Sequence, residues 1–492
     1  MTPAKPDSLR GNAVRGVKWT TLAMVVVTVL GLAQLAILTR LLSKTDFGLM
    51  SMIATVVGFA QVYADMGFSN AIIYRQDADS DQLSSLYWGN IIASAALGTV
   101  LVALAPLVAA FFREPSLVQP LRLVCLTFVI TPLGQQFQVL LQRELEFGLL
   151  ARRDIAAAAA GLIVAVAAAA AGQGVYALVW GQLTQATVRA LTTAAVGWRR
   201  WRPRLHLRWQ DLRGFMSFGL YQVGARSITY WAANVDFLLI GRYLGASQLG
   251  VYTIAYNLVV MPLVKLNPVF TKVAFPVFAR KQDDPAALRR GFGELIELVA
   301  FVTFPLLIGL GVTAPVAVPV IFGPSWQPAV VLVQIMVVMG LLKCLSNPLG
   351  SVLLAKGRAD AGFWLNVVST AVTVVVLWLV VGYGTSAVAW GHTMINCAFF
   401  FVELVILRRI IGMTMGAYFS RLARTALATT VMGVGVAGTY LLLQKGSIDG
   451  ALELAVLVAV GAAFYVLTWM VVARDYVLGL WRLLIARSAE PV

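Results

Sequence analysis

The chain is 492 residues long, 60% hydrophobic and only 12% charged, with a formal net charge of +16 and a mean hydropathy of +0.82. So few polar residues could not cover a soluble core of this size, which excludes a water-soluble globular enzyme and makes lipid the solvent. No nucleic-acid motif accompanies the positive charge, so it is read as a topology signal and an attraction to anionic headgroups, and nucleic acid is excluded as a partner.

Apolar runs long enough to cross ~30 Å of hydrocarbon at 1.5 Å per residue recur along the whole length and predict an all-α polytopic membrane protein. There are fourteen, near 16–39, 47–68, 84–112, 117–141, 154–172, 175–198, 214–241, 250–276, 292–322, 328–355, 361–382, 385–407, 421–443 and 449–472. The long third and ninth runs are expected to tilt, or to break at Pro106 and at Pro305 or Pro315. The first run is full length and no small-residue cleavage site follows it, so it reads as a span and not as a signal peptide.

Placing the N-terminus inside puts 27 of the 38 basic residues in cytoplasmic segments, including Arg143 to Arg153 and six arginines between 199 and 213. Only Arg40, Lys44, Arg113, Arg242 and Lys445 fall outside. By the positive-inside rule both termini are cytoplasmic. The loops on the other side are shorter than about fifteen residues, which leaves no room for the folded external domain of a glycosyl polymerase or ligase.

The chain is duplicated. Gly172, Gly174, Ala177, Trp180 and Gly181 recur as Gly382, Gly384, Ala387, Trp390 and Gly391. Arg40, Leu42 and Gly48 recur as Arg242, Leu244 and Gly250, while Ala105-Pro106, Pro115 and Gln119-Pro120 recur as Ala314-Pro315, Pro324 and Gln327-Pro328. A period this long in an apolar chain marks two homologous membrane lobes. The expected domains are an N-terminal six-helix lobe over 1–198, a basic cytoplasmic linker over 199–213, a second six-helix lobe over 214–410, and an extra helix pair with a cytoplasmic tail over 411–492. Six spans is an even number, so both lobes enter from the same side and an axis along the membrane normal relates them.

Cys125, Cys344 and Cys397 lie in spans without disulfide or metal spacing, so no metal or cofactor is implied. His206 and His392 are the only histidines, which leaves little for acid–base catalysis and no catalytic residue to nominate. His392 sits where the first copy has Gln182 and reads as a packing residue.

Charge at membrane depth is costly and faces a cavity or a partner. Arg226, Lys265 and Lys343 fall ~18–23 Å along the seventh, eighth and tenth helices, at one middle depth. Lys272, seven residues after Lys265, extends the same helical face. These four form the candidate cationic substrate site, suited to a phosphate or pyrophosphate. Asp236 and Glu403 are the candidate counter-charges, and Arg122 and Arg189 in the first lobe lack such company. Weaker polar candidates for sugar hydroxyls are Gln135, Gln138, Asn234, Asn257 and Asn347. Pro262 and Pro268, with Pro276, each remove a backbone hydrogen bond from the eighth helix and make it the expected gate.

The segment from Leu38 to Asp77 carries a resemblance: Arg40-Leu41-Leu42-Ser43, Asp46-Phe47-Gly48-Leu49, Ala64-Asp65-Met66-Gly67-Phe68 and Ala71-Ile72-Ile73-Tyr74-Arg75, with the Gly172 to Gln182 element in agreement. Over roughly its first 410 residues the chain resembles the polysaccharide-transporter, or Wzx-type flippase, branch of the multidrug/oligosaccharidyl-lipid/polysaccharide (MOP) exporter superfamily. The resemblance implies a MOP-type fold of six plus six helices that alternates access, in a bacterial inner membrane. It implies an oligosaccharide on a polyprenyl pyrophosphate as substrate, with membrane lipids and other polysaccharide assembly proteins as partners. Members often have twelve spans, so the last pair is a departure. A cation-coupled multidrug exporter of the same superfamily and a membrane glycosyltransferase or polymerase are the alternatives, the first opposed by the basic excess within spans.

Overall fold

A computed structural model of the protein describes residues 6–64, 79–444 and 449–473, which are helical with no strand among them. In chain order the helices are α1 (Pro6–Leu41), α2 (Lys44–Ala64), α3 (Ser80–Phe112), α4 (Val118–Val124), α5 (Thr127–Arg143), α6 (Phe147–Ala170), α7 (Val175–Gly197), α8 (Trp209–Arg280), α9 (Pro285–Phe322), α10 (Ala329–Ala355), α11 (Ala359–Val380), α12 (Thr385–Ile411), α13 (Met415–Leu443) and α14 (Gly450–Val472). α4 and α5 together make the fourth expected span, and α8 supplies the seventh and eighth. Among the described residues eleven segments are apolar enough to cross a membrane, one of them (Thr229–Asn267) reaching across both of those spans. α7 and α12, matched by the duplication, are less apolar because each interrupts its apolar sequence with polar residues. At 23 and 27 residues both are long enough to span.

The chain divides into two compact units, 1–250 and 251–492. In the first, α1 packs on α6, α6 on α7, and α5 on α7 and α3. Small residues make these contacts close. A Cβ on Gly161 would fall 2.3 Å from the Gln185 Cγ, one on Gly181 2.8 Å from the Ala165 Cβ, and one on Gly134 2.6 Å from the Ala190 Cα. In lipid, where no hydrophobic force drives helices together, such contact supplies the attraction.

The same unit brings two copies of one repeated motif together. A Cβ on Gly48 would lie 1.7 Å from the Ala246 carbonyl oxygen, and one on Gly250 would lie 2.0 Å from the Lys44 carbonyl oxygen. Since 246 is 44 displaced by the motif's own offset, the contact is reciprocal, as in a two-fold interface. Gly245, at φ 82°, breaks α8 just before this crossing. The helix was expected to bend at its prolines; instead its dihedral angles stay helical through Pro262, and the one non-helical residue is the glycine. α3 and α9 likewise continue through Pro106 and through Pro305 and Pro315.

The basic linker is tied down along 200–211. Arg200 pairs with Glu146 at 2.8 Å and with Glu144, and both carboxylates hold its guanidinium above its ordinary pKa. Arg204 pairs with Asp81 at 3.1 Å, and the Trp88 indole donates to the Arg204 carbonyl at 2.8 Å. Ser85 donates to Asp211, which also faces His206 at 3.1 Å. One end of the unit therefore gathers the linker, the start of α3 and the α5–α6 turn.

In the second unit α9 packs on α10, α13 and α14, and α10 on α12. The appended pair docks on α9 through Val316, Met432, Val436, Leu457, Tyr465 and Trp469, and the Tyr465 hydroxyl donates to the Phe301 carbonyl at 2.7 Å. Two repeated elements take the same form in each unit. Pro115–Leu117 and Pro324–Trp326 are both 3-10 turns that bury their last residue, and Gly174 (φ 54°) and Gly384 (φ 100°) both cap the following helix in a region that excludes most side chains.

Candidate substrate-binding site

α7 carries Gln182, Gln185, Arg189 and Thr193 at steps of three and four, so all four project from one face. α5 answers with Thr131, Gln135 and Gln138 at the same spacing. The close seam at Gly134 and Ala190 brings these faces together, and with Gln61 of α2, Ser94 of α3 and Arg153 of α6 they line a cavity of about 500 Å³ inside the first unit. That volume is in the range of small-molecule sites. The polar wall is deliberate in the physical sense that each group costs free energy in lipid unless it is bonded or wet.

Arg153 organises the site. Only 9% exposed, its guanidinium bonds Asp154 at 2.8 and 3.1 Å, the Gln138 amide oxygen at 2.9 Å and the Thr193 hydroxyl at 3.1 Å. Arg189 Nε stands 3.5 Å from the same carboxylate and its side chain is 44% exposed. Two guanidiniums thus share one carboxylate, and the cluster keeps one surplus positive charge. Gln135 accepts from Asn90 at 3.3 Å, whereas Gln136 turns away to the Leu83 carbonyl at 2.7 Å. The arrangement offers amides and hydroxyls to a polyol and a guanidinium to a phosphate.

The structure thus gives Arg189, expected to stand alone, two charged neighbours. Arg153, expected in a loop, is inside a helix because α6 already begins at Phe147. Gln135 and Gln138 are in the cavity. Asn234 is not: it donates to the Tyr230 carbonyl at 2.9 Å and faces a separate apolar space of about 120 Å³ beside Phe59 and Trp231. In the second unit Lys265 and Lys343 are half-buried, and the Lys343 ammonium lies 5.8 Å from the centre of the Tyr256 ring. Asn257 and Asn347 are exposed. The side chains of Arg226, Pro268 and Lys272, and all of Asp65 and Arg75, lie outside the described residues. Asp236 is fully buried and accepts the Phe237 amide at 3.0 Å. Glu403 stands beside Ser346, while its Oε2 has no hydrogen-bond partner among the described residues.

Residues 37–331 match the family described as polysaccharide biosynthesis protein. The chain belongs to this family. Within reach of the match, the teichuronic acid biosynthesis protein TuaB of Bacillus subtilis (strain 168) is 35% identical over 459 residues, 93% of this chain and 95% of TuaB. The lipopolysaccharide biosynthesis protein WzxC of Escherichia coli (strain K12) is 34% identical over 363 residues, 74% of each chain. The solved structure of the lipid II flippase MurJ superposes with a TM-score of 0.74 at 11% identity, covering 93% of this chain and 99% of MurJ. At that identity the likeness speaks for the fold, which is of the MOP type and accounts for the multi-pass helical architecture of this family member.

Proposed function

We propose that the protein is a flippase that carries an oligosaccharide unit on a polyprenyl pyrophosphate from the cytoplasmic to the outer leaflet of a bacterial inner membrane. The observation that carries this reading is the polar cavity in the first unit: five glutamines and a surplus guanidinium gathered among otherwise apolar helices. Amides satisfy sugar hydroxyls, and the guanidinium matches an anionic head group. A cationic drug would be repelled by the same wall, which disfavours multidrug export. The substrate is moved and not transformed, so no catalytic group is assigned.

The end that gathers the linker and the α5–α6 turn is the cytoplasmic one by its concentration of arginine. In that orientation the cavity opens in the cytoplasmic half of the first unit, since Arg153 lies ~9 Å along α6 from that end. The basic residues Arg226, Lys265, Lys272 and Lys343 retain the role of drawing in the pyrophosphate, and bending of α8 at Gly245, together with Pro262 and Pro268, provides the gate. The chain has no nucleotide-binding loop, so transport draws on ion or voltage coupling or on consumption of the product. Voltage alone contributes ~2.3 kcal/mol per charge per 100 mV, in the direction that drives an anion outward.

The test is the accumulation of lipid-linked oligosaccharide on the cytoplasmic face in cells carrying Arg189→Ala, Lys265→Ala or Lys343→Ala, with membrane levels of each variant measured in parallel. Stalled export at normal protein level is the expected result. Normal export in all three would remove the flippase sites named here.

A further inference from the structure

A second cavity, about 260 Å³, opens beside the first, between α5, α6 and α7. Its walls are mostly apolar, Leu141, Leu149, Leu150 and Val196 among them, except where Arg152, Arg153, Thr192 and Thr193 border it. It shares Arg153 and Thr193 with the polar cavity, so one hydrogen-bonded pair, 3.1 Å apart, lines both the polar chamber and the apolar one. Leu149 and Leu150 lie in the first turn of α6 and Val196 in the last turn of α7. The apolar chamber is therefore at the end of the spans. Tryptophans mark that level as the membrane–water interface: Trp19 lies under the Arg152 guanidinium at 5.1 Å, and Trp198 and Trp201 pack on Phe137.

We propose that these chambers form one site for an isoprenyl pyrophosphate-linked sugar, with the first carbons of the chain in the apolar chamber, the pyrophosphate at Arg153 and Arg189, and the sugar on the glutamines. The assignment rests on the flippase reading and adds to it where the lipid is held. Three observations select this occupant. The terminal amino groups of Arg189 make no hydrogen bond among the described residues, so a guanidinium fork is available to an anion. The charge of the cluster is complementary, two guanidiniums to one carboxylate. The polar chamber presents Gln61, Gln135, Gln138, Gln182 and Gln185, far more hydrogen-bonding capacity than a glycerophosphate head needs but suited to a ring of hydroxyls. The apolar chamber is too small for a whole polyprenyl chain, so the remainder lies in the bilayer.

The experiment is native mass spectrometry of the full-length protein in detergent with undecaprenyl pyrophosphate, alongside farnesol, inorganic pyrophosphate and phosphatidylglycerol as partial or rival ligands. Because it removes a charge-assisted bond to phosphate, Arg189→Ala is expected to weaken undecaprenyl pyrophosphate about tenfold or more and to leave farnesol unchanged. Ala156→Trp, which fills the apolar chamber, is expected to weaken undecaprenyl pyrophosphate and farnesol but to leave inorganic pyrophosphate unchanged. Arg189→Lys should recover part of the loss. Unchanged binding in both variants overturns the site, as does equal binding of phosphatidylglycerol, which would make it a general phospholipid pocket. Binding that responds as expected in a protein that moves no lipid-linked sugar in the cellular assay would sink the flippase reading and leave the site standing.

Discussion

The two copies of the repeat keep the same caps and turns at matched positions and surround them with different chemistry. Gly174 and Gly384 cap α7 and α12 alike, and Gly181 and Gly391 both sit at a helix seam. Counting on by 210 residues from these glycines, Gln182, Gln185, Arg189 and Thr193 of α7 fall opposite His392, Ile395, Phe399 and Glu403 of α12. Counting by the 208 of the Gln119-Pro120 pair, Gln135 and Gln138 of α5 fall opposite Lys343 and Ser346 of α10. The polar helix pair of the first unit thus has a counterpart in the second, where Lys343 and His392 stand for amides, Glu403 for the Thr193 hydroxyl, and the apolar Ile395 and Phe399 for Gln185 and Arg189. In both places a side chain of the earlier helix shares a polar cluster with one of the later: Gln138 and Thr193 both bond Arg153, and Ser346 stands beside Glu403. Duplication kept four of these six positions polar, and divergence made the other two, Ile395 and Phe399, apolar.

The strongest way to break this comparison is at the reciprocal crossing. Gly48→Val or Gly250→Val would place atoms within 2.0 Å of a backbone carbonyl, which no rotamer can relieve. Neither variant is expected to yield folded protein in detergent, as judged by size-exclusion chromatography; a monodisperse, wild-type-like peak would show that the contact is not held.

The seams come next. Gly161→Ala meets the Gly181 backbone oxygen at 2.9 Å, while Gly391→Ala meets side-chain ends, of Val380, Leu377 and Val376, at 3.2, 3.3 and 3.8 Å. Overpacking costs about 1–3 kcal/mol where neighbours cannot move, so the first substitution should lower thermal stability clearly and the second little. Equal losses would mean that the two units pack with the same rigidity.

Function should separate the copies as well. Gln182→Leu with Gln185→Leu removes hydrogen-bonding partners of a bound polyol and is expected to reduce export about tenfold, each net bond being worth about 0.5–1.5 kcal/mol. The matched change Ile395→Val should leave export unaltered. If the order is reversed, the glycan is read in the second unit.

The smallest effect concerns the appended pair. Tyr465→Phe removes the bond to the Phe301 carbonyl and keeps the ring, a loss of about 0.5–1.5 kcal/mol. Thermal melting followed by a probe on α14 should register it, whereas no shift at all would mean that the apolar cluster around Trp469 suffices to dock the pair.

Much of this organisation is legible in the sequence. The alternation of apolar runs and basic loops gives the spans, and the repeated glycines give the duplication, because both depend on residue type and spacing alone. The cavity was half visible. Gln135 and Gln138 stood out as amides at span depth, but Arg189 looked solitary and Arg153 looked like a loop residue. A signal existed in the polar face of the α7 segment, Gln182, Gln185 and Arg189, which is also what pulls that segment's hydropathy down. It could not say what that face meets. Asp154, which joins Arg153 to Arg189, is 35 residues from Arg189 along the chain, and only the crossing of α6 and α7 at Gly161 and Gly181 closes that distance.

Sequence by itself determined the solvent, the number of helices and the repeat, since the bilayer imposes a length and a composition on every segment that crosses it. The tertiary structure decided which polar faces converge and which cations find partners. Helical periodicity points a side chain to a face, but the neighbour on that face is chosen by backbone contacts between segments far apart in the chain.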